Sequence, residues 1–88
     1  MGDLGFSIPD VPEPEVSTAP ILVSALRPEG PAMQAGVEVG SEIVSVDGYD
    51  VRNDRPRFGI LTRVGPGRRV ELGFADGSVR SLVAVEAR

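Results

Sequence analysis

Apolar and polar residues alternate in several short segments of this chain, and each such segment predicts a brief β-strand. The segments are bounded by proline, glycine and Asp-Gly pairs, which are typical of tight turns. Strands are expected at residues 4–8, 21–26, 42–46, 49–51, 69–74 and 79–85. A stiff acidic loop, with Pro9, Pro12 and Pro14, is expected between the first two strands. The pattern indicates antiparallel strands joined by turns.

Proline also marks the starts of two predicted helices. Pro31 suits the first turn of a short helix at residues 32–35, because its fixed φ and missing N–H cost nothing there. A second helix is expected to begin near Pro56, after an N-cap at Asn53 or Asp54. Its apolar stripe is Phe58, Leu61 and Val64, and the Gly-Pro-Gly sequence at 65–67 ends it.

The expected fold class is therefore α+β. We expect a small, partly open antiparallel β-barrel or sandwich of five to six strands, capped by two helices. With 88 residues the chain has room for one modest core, so residues 1–88 are expected to form a single domain, excised from a larger protein.

The amino-acid composition excludes most kinds of catalytic and metal-binding site. All nine basic residues are arginine, and histidine, lysine, cysteine and tryptophan are absent. Histidine triads, thiol nucleophiles, lysine chemistry and Cys/His metal sites cannot be built, so no enzyme activity, metal or cofactor is expected of this segment. Asp47 and Asp50 are a conceivable carboxylate pair for hydrolysis, but two acids beside a turn are usually turn residues.

The net charge of −4 is unevenly distributed, at −6 in residues 1–44 and +2 in residues 45–88. This asymmetry fits either an interaction surface or two pairing elements of one fold. An acidic chain with few aromatic residues argues against nucleic-acid binding. No apolar run reaches the length of a membrane helix, so this segment is not expected to insert into a membrane, and the composition leaves its compartment open.

Residues 30–48, GPAMQAGVEVGSEIVSVDG, resemble the core signature of PDZ domains. Val37 and Ser41 stand where that signature usually has leucine and aspartate. The Gly-Pro-Gly break at 65–67, followed by Val70 on a strand, also fits the family. The resemblance implies a module that binds a peptide or an internal segment of a protein, without catalysis.

In PDZ domains the ligand's free carboxylate meets a glycine-containing backbone loop, and the matching loop here is Asp3, Leu4, Gly5 and Phe6, in which the last three residues would donate. The resemblance implies that their amides donate to the carboxylate as a small nest. The peptide would then add as a strand beside Phe6, Ser7 and Ile8. Read without the resemblance, the same residues fit an ordinary first strand with a glycine bulge.

The resemblance places the second wall of this groove on the second predicted helix. We expect Ile60, Leu61 and Val64 near the pocket for the last ligand side chain, with Phe58 in the core. Pro56 or Arg57 falls where one PDZ class carries a ligand-selecting histidine. The four arginines of this region favour either acidic ligand positions or a solvated helix face: Arg52, Arg55, Arg57 and Arg63.

The glycine loop opens the sequence, and no strand is expected before it. The strand at 79–85 is instead expected to fill the vacant place beside it. That order resembles the circularly permuted PDZ domains of bacterial proteases, which implies a regulatory or substrate-recognition domain and favours the periplasm or cell envelope. The expected function is recognition of an apolar C-terminal tail.

An alternative follows from Pro9, which comes directly after Ile8 and shortens the edge on which a ligand would pair. In that case the domain docks within its parent enzyme and binds no free C-terminus.

Overall fold

The structure is a computed structural model, and it describes residues 2–8 and 20–86. The acidic proline loop predicted after Ile8 lies outside these residues. The strands are β1 Gly2–Asp3, β2 Phe6–Ser7, β3 Ile21–Leu22, β4 Ala25–Leu26, β5 Glu42–Val46, β6 Tyr49–Asp50, β7 Arg69–Phe74, β8 Val79–Val83 and β9 Val85–Glu86. The helices are α1 Pro31–Gln34 and α2 Arg55–Leu61.

A five-stranded antiparallel sheet forms the centre of the fold. Its strands run in the order β3-β5-β7-β8, with β6 paired to β5. The hairpin of β7 and β8 keeps one register from the pair Arg69 and Val83 to the pair Gly73 and Val79. The pairing of β5 with β7 shifts register between Ile43 and Ser45. The sheet thus gives a continuous surface on which the core packs.

Two short strand pairs border this sheet. Strand β2 pairs with β4, with Phe6 opposite Leu26, and β1 pairs with β9, with Gly2 opposite Glu86. The described strands therefore form three antiparallel sheets that do not close into a barrel. Together with two helices, this confirms the predicted fold class.

The predicted strand at 21–26 is divided in the structure, because its two halves pair with different neighbours. Strand β3 pairs with β5 and β4 pairs with β2. The partner changes at Val23 and Ser24, whose N–H groups donate to the carbonyls of Ser41 and Ser7. Alternation along the sequence cannot reveal such a change, since both halves have the same period of two.

The chain termini also differ from expectation. A strand, β1, does precede the glycine loop, so the prediction that none would was wrong. The predicted final strand is interrupted at the buried Ala84, whose N–H donates to the Arg68 carbonyl, and it resumes as β9 beside β1. The expectation that the last strand lies beside the start of the chain is confirmed in this form.

Helix α2 begins as predicted but ends earlier. Asp54 is its N-cap and accepts the Arg57 N–H at 3.3 Å. The helix ends at Leu61, followed by Thr62, so the prediction that it includes Val64 was wrong. Pro66 disfavours helical geometry at the preceding residue. The Val64 carbonyl is used instead by the N–H of Gly2, at 2.9 Å.

The core lies between the central sheet and the helices. Its fully buried members are mainly β-branched and leucine side chains of the strands, and Ala32 of α1 and Phe58 of α2 close it from the helices. The largest fully buried side chains are those of Ile21, Ile43, Leu72, Leu82, Val23, Val46, Val51 and Val70. Neither helix of the described residues is long and apolar enough to cross a membrane.

Candidate peptide-binding groove

A cavity of about 170 Å³ lies between β2 and α2. It is lined by Gly2, Asp3, Leu4, Phe6, Ile8, Phe58 and Thr62. Strand β2 pairs with β4, and among the described residues it has no other strand partner. The cavity therefore combines apolar side chains with a short strand that can accept one more neighbour.

The loop between β1 and β2 is fixed against the start of α1. The Leu4 carbonyl accepts the Ala32 N–H at 3.0 Å, and the Gly5 carbonyl accepts the Arg27 N–H at 2.9 Å. Gly5 has φ +84°, and a Cβ built there would lie 2.8 Å from Pro31 Cδ. A left-handed backbone and this close approach both require glycine. The loop expected to receive a carboxylate is thus held by hydrogen bonds to Arg27 and to the first turn of α1.

The side chain of Asp3 bonds to the backbone of this loop. Its Oδ1 accepts the N–H of Gly5 at 2.9 Å, and its Oδ2 forms an ion pair with Arg27 Nε. Sequence reasoning named Asp3 only as the loop's first residue. The Asp-x-Gly spacing in the sequence could have indicated this hydrogen bond, since an aspartate side chain often bonds to the backbone two residues ahead.

The helix wall of the cavity is formed by Phe58 and Thr62. These residues are four apart, so they lie on one side of the helical turn. The Thr62 hydroxyl donates to the Phe58 carbonyl at 2.8 Å, which ties this side chain to the last turn of the helix. Phe58 also belongs to the core, as predicted, with 4% of its surface exposed.

The residues expected on this wall lie elsewhere. Ile60 is 68% exposed and is not among the lining residues. Leu61 and Val64 are partly buried and pack against the core, and neither lines the cavity. The three-residue spacing predicts a stripe that continues to Val64, whereas the helix ends at Leu61, and Phe58 and Thr62 line the cavity beside β2. The roles of these residues in binding stay predictions.

Three of the four arginines of this region have partners within the chain. Arg52 forms a two-pronged ion pair with Asp50, with Nη2 to Oδ2 at 2.9 Å, and Arg57 pairs with Asp54 at 3.3 Å. Arg55 is buried and donates to the Pro20 carbonyl at 3.3 Å. The side-chain hydrogen bonds from Arg52, with its backbone N–H, lower the pKa of Asp50 to about 2.

A larger cavity, of about 400 Å³, lies between α1 and β8. Its lining includes neither the glycine loop nor α2. A carboxylate site needs several backbone N–H groups converging on one point, so the smaller cavity beside the loop fits the expected chemistry better. Among the described residues, no cluster of three carboxylates is placed to hold a metal ion.

The comparisons with known proteins agree with this geometry. A family model described as PDZ domain matches residues 22–75. The chain belongs to the PDZ domain family. This assignment covers both helices and the strands from β4 to β7, and it confirms the resemblance seen in residues 30–48. PDZ domains are non-catalytic modules, and peptide binding is typical of them.

Relatives of this PDZ domain are bacterial proteases. The magnetosome formation protease MamE of Paramagnetospirillum magneticum is 35% identical over 66 residues, which is 74% of this chain and 9% of MamE. Structures of the HtrA-type protease AlgW are similar over 99% of the chain. One AlgW variant with a decapeptide has a TM-score of 0.74 at 21% identity, and one with a tripeptide has 0.69 at 22%.

The likeness to MamE confirms the protease-associated type of PDZ domain. The chain spans 29% and 32% of those two AlgW chains and less than a tenth of MamE. At this level of identity the AlgW structures establish the fold. The MamE match, at 35%, adds a sequence relationship over most of the chain.

Proposed function

We propose that this PDZ domain binds the apolar C-terminal tail of a peptide, which adds as a strand beside β2 and places its last side chain against α2. The observation that carries the proposal is the cavity between Phe6, Ile8 and Phe58, which adjoins both the glycine loop and the unpaired side of β2. Strand addition supplies backbone hydrogen bonds, and the cavity supplies selectivity.

The cavity suits one apolar side chain. Its lining includes Phe6, Ile8 and Phe58, and its volume of about 170 Å³ is well below that of a drug-sized pocket. Burying one valine or phenylalanine side chain contributes about 1.5–3 kcal/mol. The remaining affinity has to come from the strand pairing and from the carboxylate.

The proposal extends to the parent protein, in which this domain would regulate a bacterial protease or recognise its substrates. MamE is named as a protease, and the AlgW structures are of a protease with a decapeptide and with a tripeptide. The partner is then a C-terminal peptide or an internal segment of a protein. Periplasm or cell envelope is the compartment that the resemblance favours.

The test is a titration of the chain with a fluorescent heptapeptide ending in valine, compared with the same peptide amidated at its C-terminus. We expect the free acid to bind with a Kd of about 1 μM, near −8 kcal/mol, and the amide to bind more weakly. A peptide of scrambled sequence is the control. Equal affinity for acid and amide would exclude recognition of the free carboxylate.

A second candidate function is docking within the parent enzyme, with no free C-terminus bound. The residue after Ile8 is Pro9, which has no N–H and limits the length of added strand. Amide chemical-shift mapping with C-terminal peptides separates the two functions. Shifts along residues 5–8 with tight binding contradict the docking function, and shifts only with internal segments support it.

A further inference from the structure

The carboxylate loop already holds a carboxylate, that of Asp3. Its Oδ1 accepts the Gly5 N–H at 2.9 Å, and the residue itself lines the groove. The Asp3 side chain is 17% exposed, so it is set into the surface beside the loop. The central amide of the loop is therefore bonded to an internal anion when no ligand is bound.

We propose that Asp3 is a specificity-determining residue of this groove, which competes with the ligand's free carboxylate for the Gly5 amide. The inference rests on the proposed peptide binding and adds to it. One N–H donates fully to only one acceptor at a time, and two carboxylates at one site repel each other. A free C-terminus must displace Asp3, whereas an amidated tail or internal segment lacks that like-charge conflict.

Arg27 positions the Asp3 carboxylate. Its Nε forms the ion pair with Asp3 Oδ2, while its backbone N–H holds the Gly5 carbonyl at 2.9 Å. One residue thus fixes both the loop and the anion in it. Arg27 is 63% exposed in its side chain, so this ion pair orients Asp3 more than it stabilises the fold.

The structure also offers a place for the displaced side chain. Asp3 lies between the groove and a second cavity of about 480 Å³, which Arg27 also lines. Glu29 and Glu86 line that cavity too. A displaced Asp3 carboxylate would stay within reach of Arg27 but would meet two other acids, which favours its return to Gly5.

The test compares the ratio of affinities for the free-acid and amidated heptapeptide in four proteins: the natural chain, Asp3→Ala, Asp3→Asn and Asp50→Asn. Asp3→Ala removes both the hydrogen bond and the charge, and we expect the ratio to rise roughly tenfold. Asp3→Asn keeps an oxygen acceptor for Gly5 without the charge, so a smaller rise is expected. Circular dichroism and amide spectra confirm folding.

Asp50→Asn is the matched control. Asp50 Oδ1 also accepts an N–H two residues ahead, that of Arg52, and also pairs with an arginine, but it does not line the groove. Its substitution should leave the ratio unchanged. A similar rise in Asp50→Asn and Asp3→Asn would mean that total charge, and not Asp3, sets the preference, and would overturn the inference.

The remaining outcomes separate this inference from the proposed function. If the natural chain prefers the free acid and Asp3→Ala does not increase that preference, Asp3 has no competing role and the proposed function stands. If the natural chain shows no preference but Asp3→Ala does, Asp3 blocks the loop fully, and recognition of free tails by the natural domain is excluded. If no protein distinguishes acid from amide, or none binds, both proposals fail.

Discussion

The ring centroids of Phe6 and Phe58 lie 6.3 Å apart, with the ring planes tilted by 56°. This pair joins β2 to α2 at the floor of the groove. Tilted aromatic pairs at such distances contribute about 0.5–1.5 kcal/mol beyond the burial of their surface. The two walls of the candidate groove are thus joined by an aromatic contact, and one of its two rings, Phe58, belongs to the buried core.

Replacing Phe58 by alanine should destabilise the domain strongly, by about 3–5 kcal/mol in the free energy of unfolding, because it empties a buried ring site. Urea unfolding followed by circular dichroism measures the change. Ile60→Ala on the same helix is the matched control, since Ile60 is 68% exposed, and it should change stability by less than about 0.5 kcal/mol. Comparable losses of stability in the two variants would contradict the assignment of Phe58 to the buried face of α2 and of Ile60 to its exposed face.

Thr62 lines the groove on the side of α2. Thr62→Lys places a long charged side chain at a residue that lines the cavity, and we expect peptide affinity to fall at least tenfold while the domain stays folded. Ile60→Lys, which adds the same charge to the same helix outside the cavity, should change affinity by less than about twofold. Titration of both variants with the valine-ending peptide measures this. Equal losses of peptide affinity in the two variants would show that the peptide does not bind on the Thr62 side of α2.

The sequence was sufficient for the central features of the fold. The segments at 42–46 and 69–74 form β5 and β7 with the predicted bounds, and each lies in the interior of the five-stranded sheet. The Pro-Ala start of α1 and the Asp-Gly turn at Asp47 and Gly48 have local causes in the fixed φ of proline and the left-handed turn backbone. The residues of these two segments were therefore sufficient to predict the start of α1 and the turn.

The groove wall could not be deduced in the same way. Which residues of α2 line the cavity depends on how the helix packs against β2 through the contact of Phe58 with Phe6, and these two residues are far apart in the sequence. The spacing of Phe58, Leu61 and Val64 fits a longer helix equally well. The bonding of Asp3 to Gly5 is local, but its importance depends on the groove beside it, which only the assembled fold supplies.

The glycine at position 5 is required by the backbone. Gly5→Ala adds a Cβ at φ +84°, 2.8 Å from Pro31 Cδ and 3.0 Å from Pro31 N. The left-handed conformation alone costs about 1–2 kcal/mol for a residue with a Cβ, and the clash with the start of α1 adds to it. We expect a loss of about 2–4 kcal/mol in urea unfolding and a weaker carboxylate preference.

Gly59→Ala is the matched control for that change. Gly59 lies inside α2, and a Cβ there would have no heavy atom within 4 Å. Alanine should therefore stabilise the domain by about 0.5–1 kcal/mol, since it restricts the unfolded chain and favours the helix. A loss of stability in Gly5→Ala together with a gain in Gly59→Ala would support the conclusion that the backbone conformation at position 5 requires glycine. Destabilisation by both would indicate that α2 needs flexibility at this residue.

Asp50 provides a test at low pH. The side chain of Arg52 donates two hydrogen bonds to its carboxylate and the Arg52 backbone adds a third, so the pKa of Asp50 is lowered from 3.8 to about 2. Because the folded pKa is depressed, the ionised carboxylate contributes to stability above about pH 4, and the contribution is lost as the pH falls through 2. Both groups are exposed, so the effect is small.

NMR titration of the Asp50 carboxyl carbon should give a midpoint near 2. In Arg52→Gln the backbone donor remains and the charged side-chain donors are lost, so the midpoint should rise part of the way towards 3.8. Asp76 serves as the internal control, because its pKa is lowered chiefly by the hydroxyl and N–H of Ser78, which the substitution leaves in place. An unchanged Asp50 midpoint in Arg52→Gln would show that the turn's backbone, and not the ion pair, holds the carboxylate ionised.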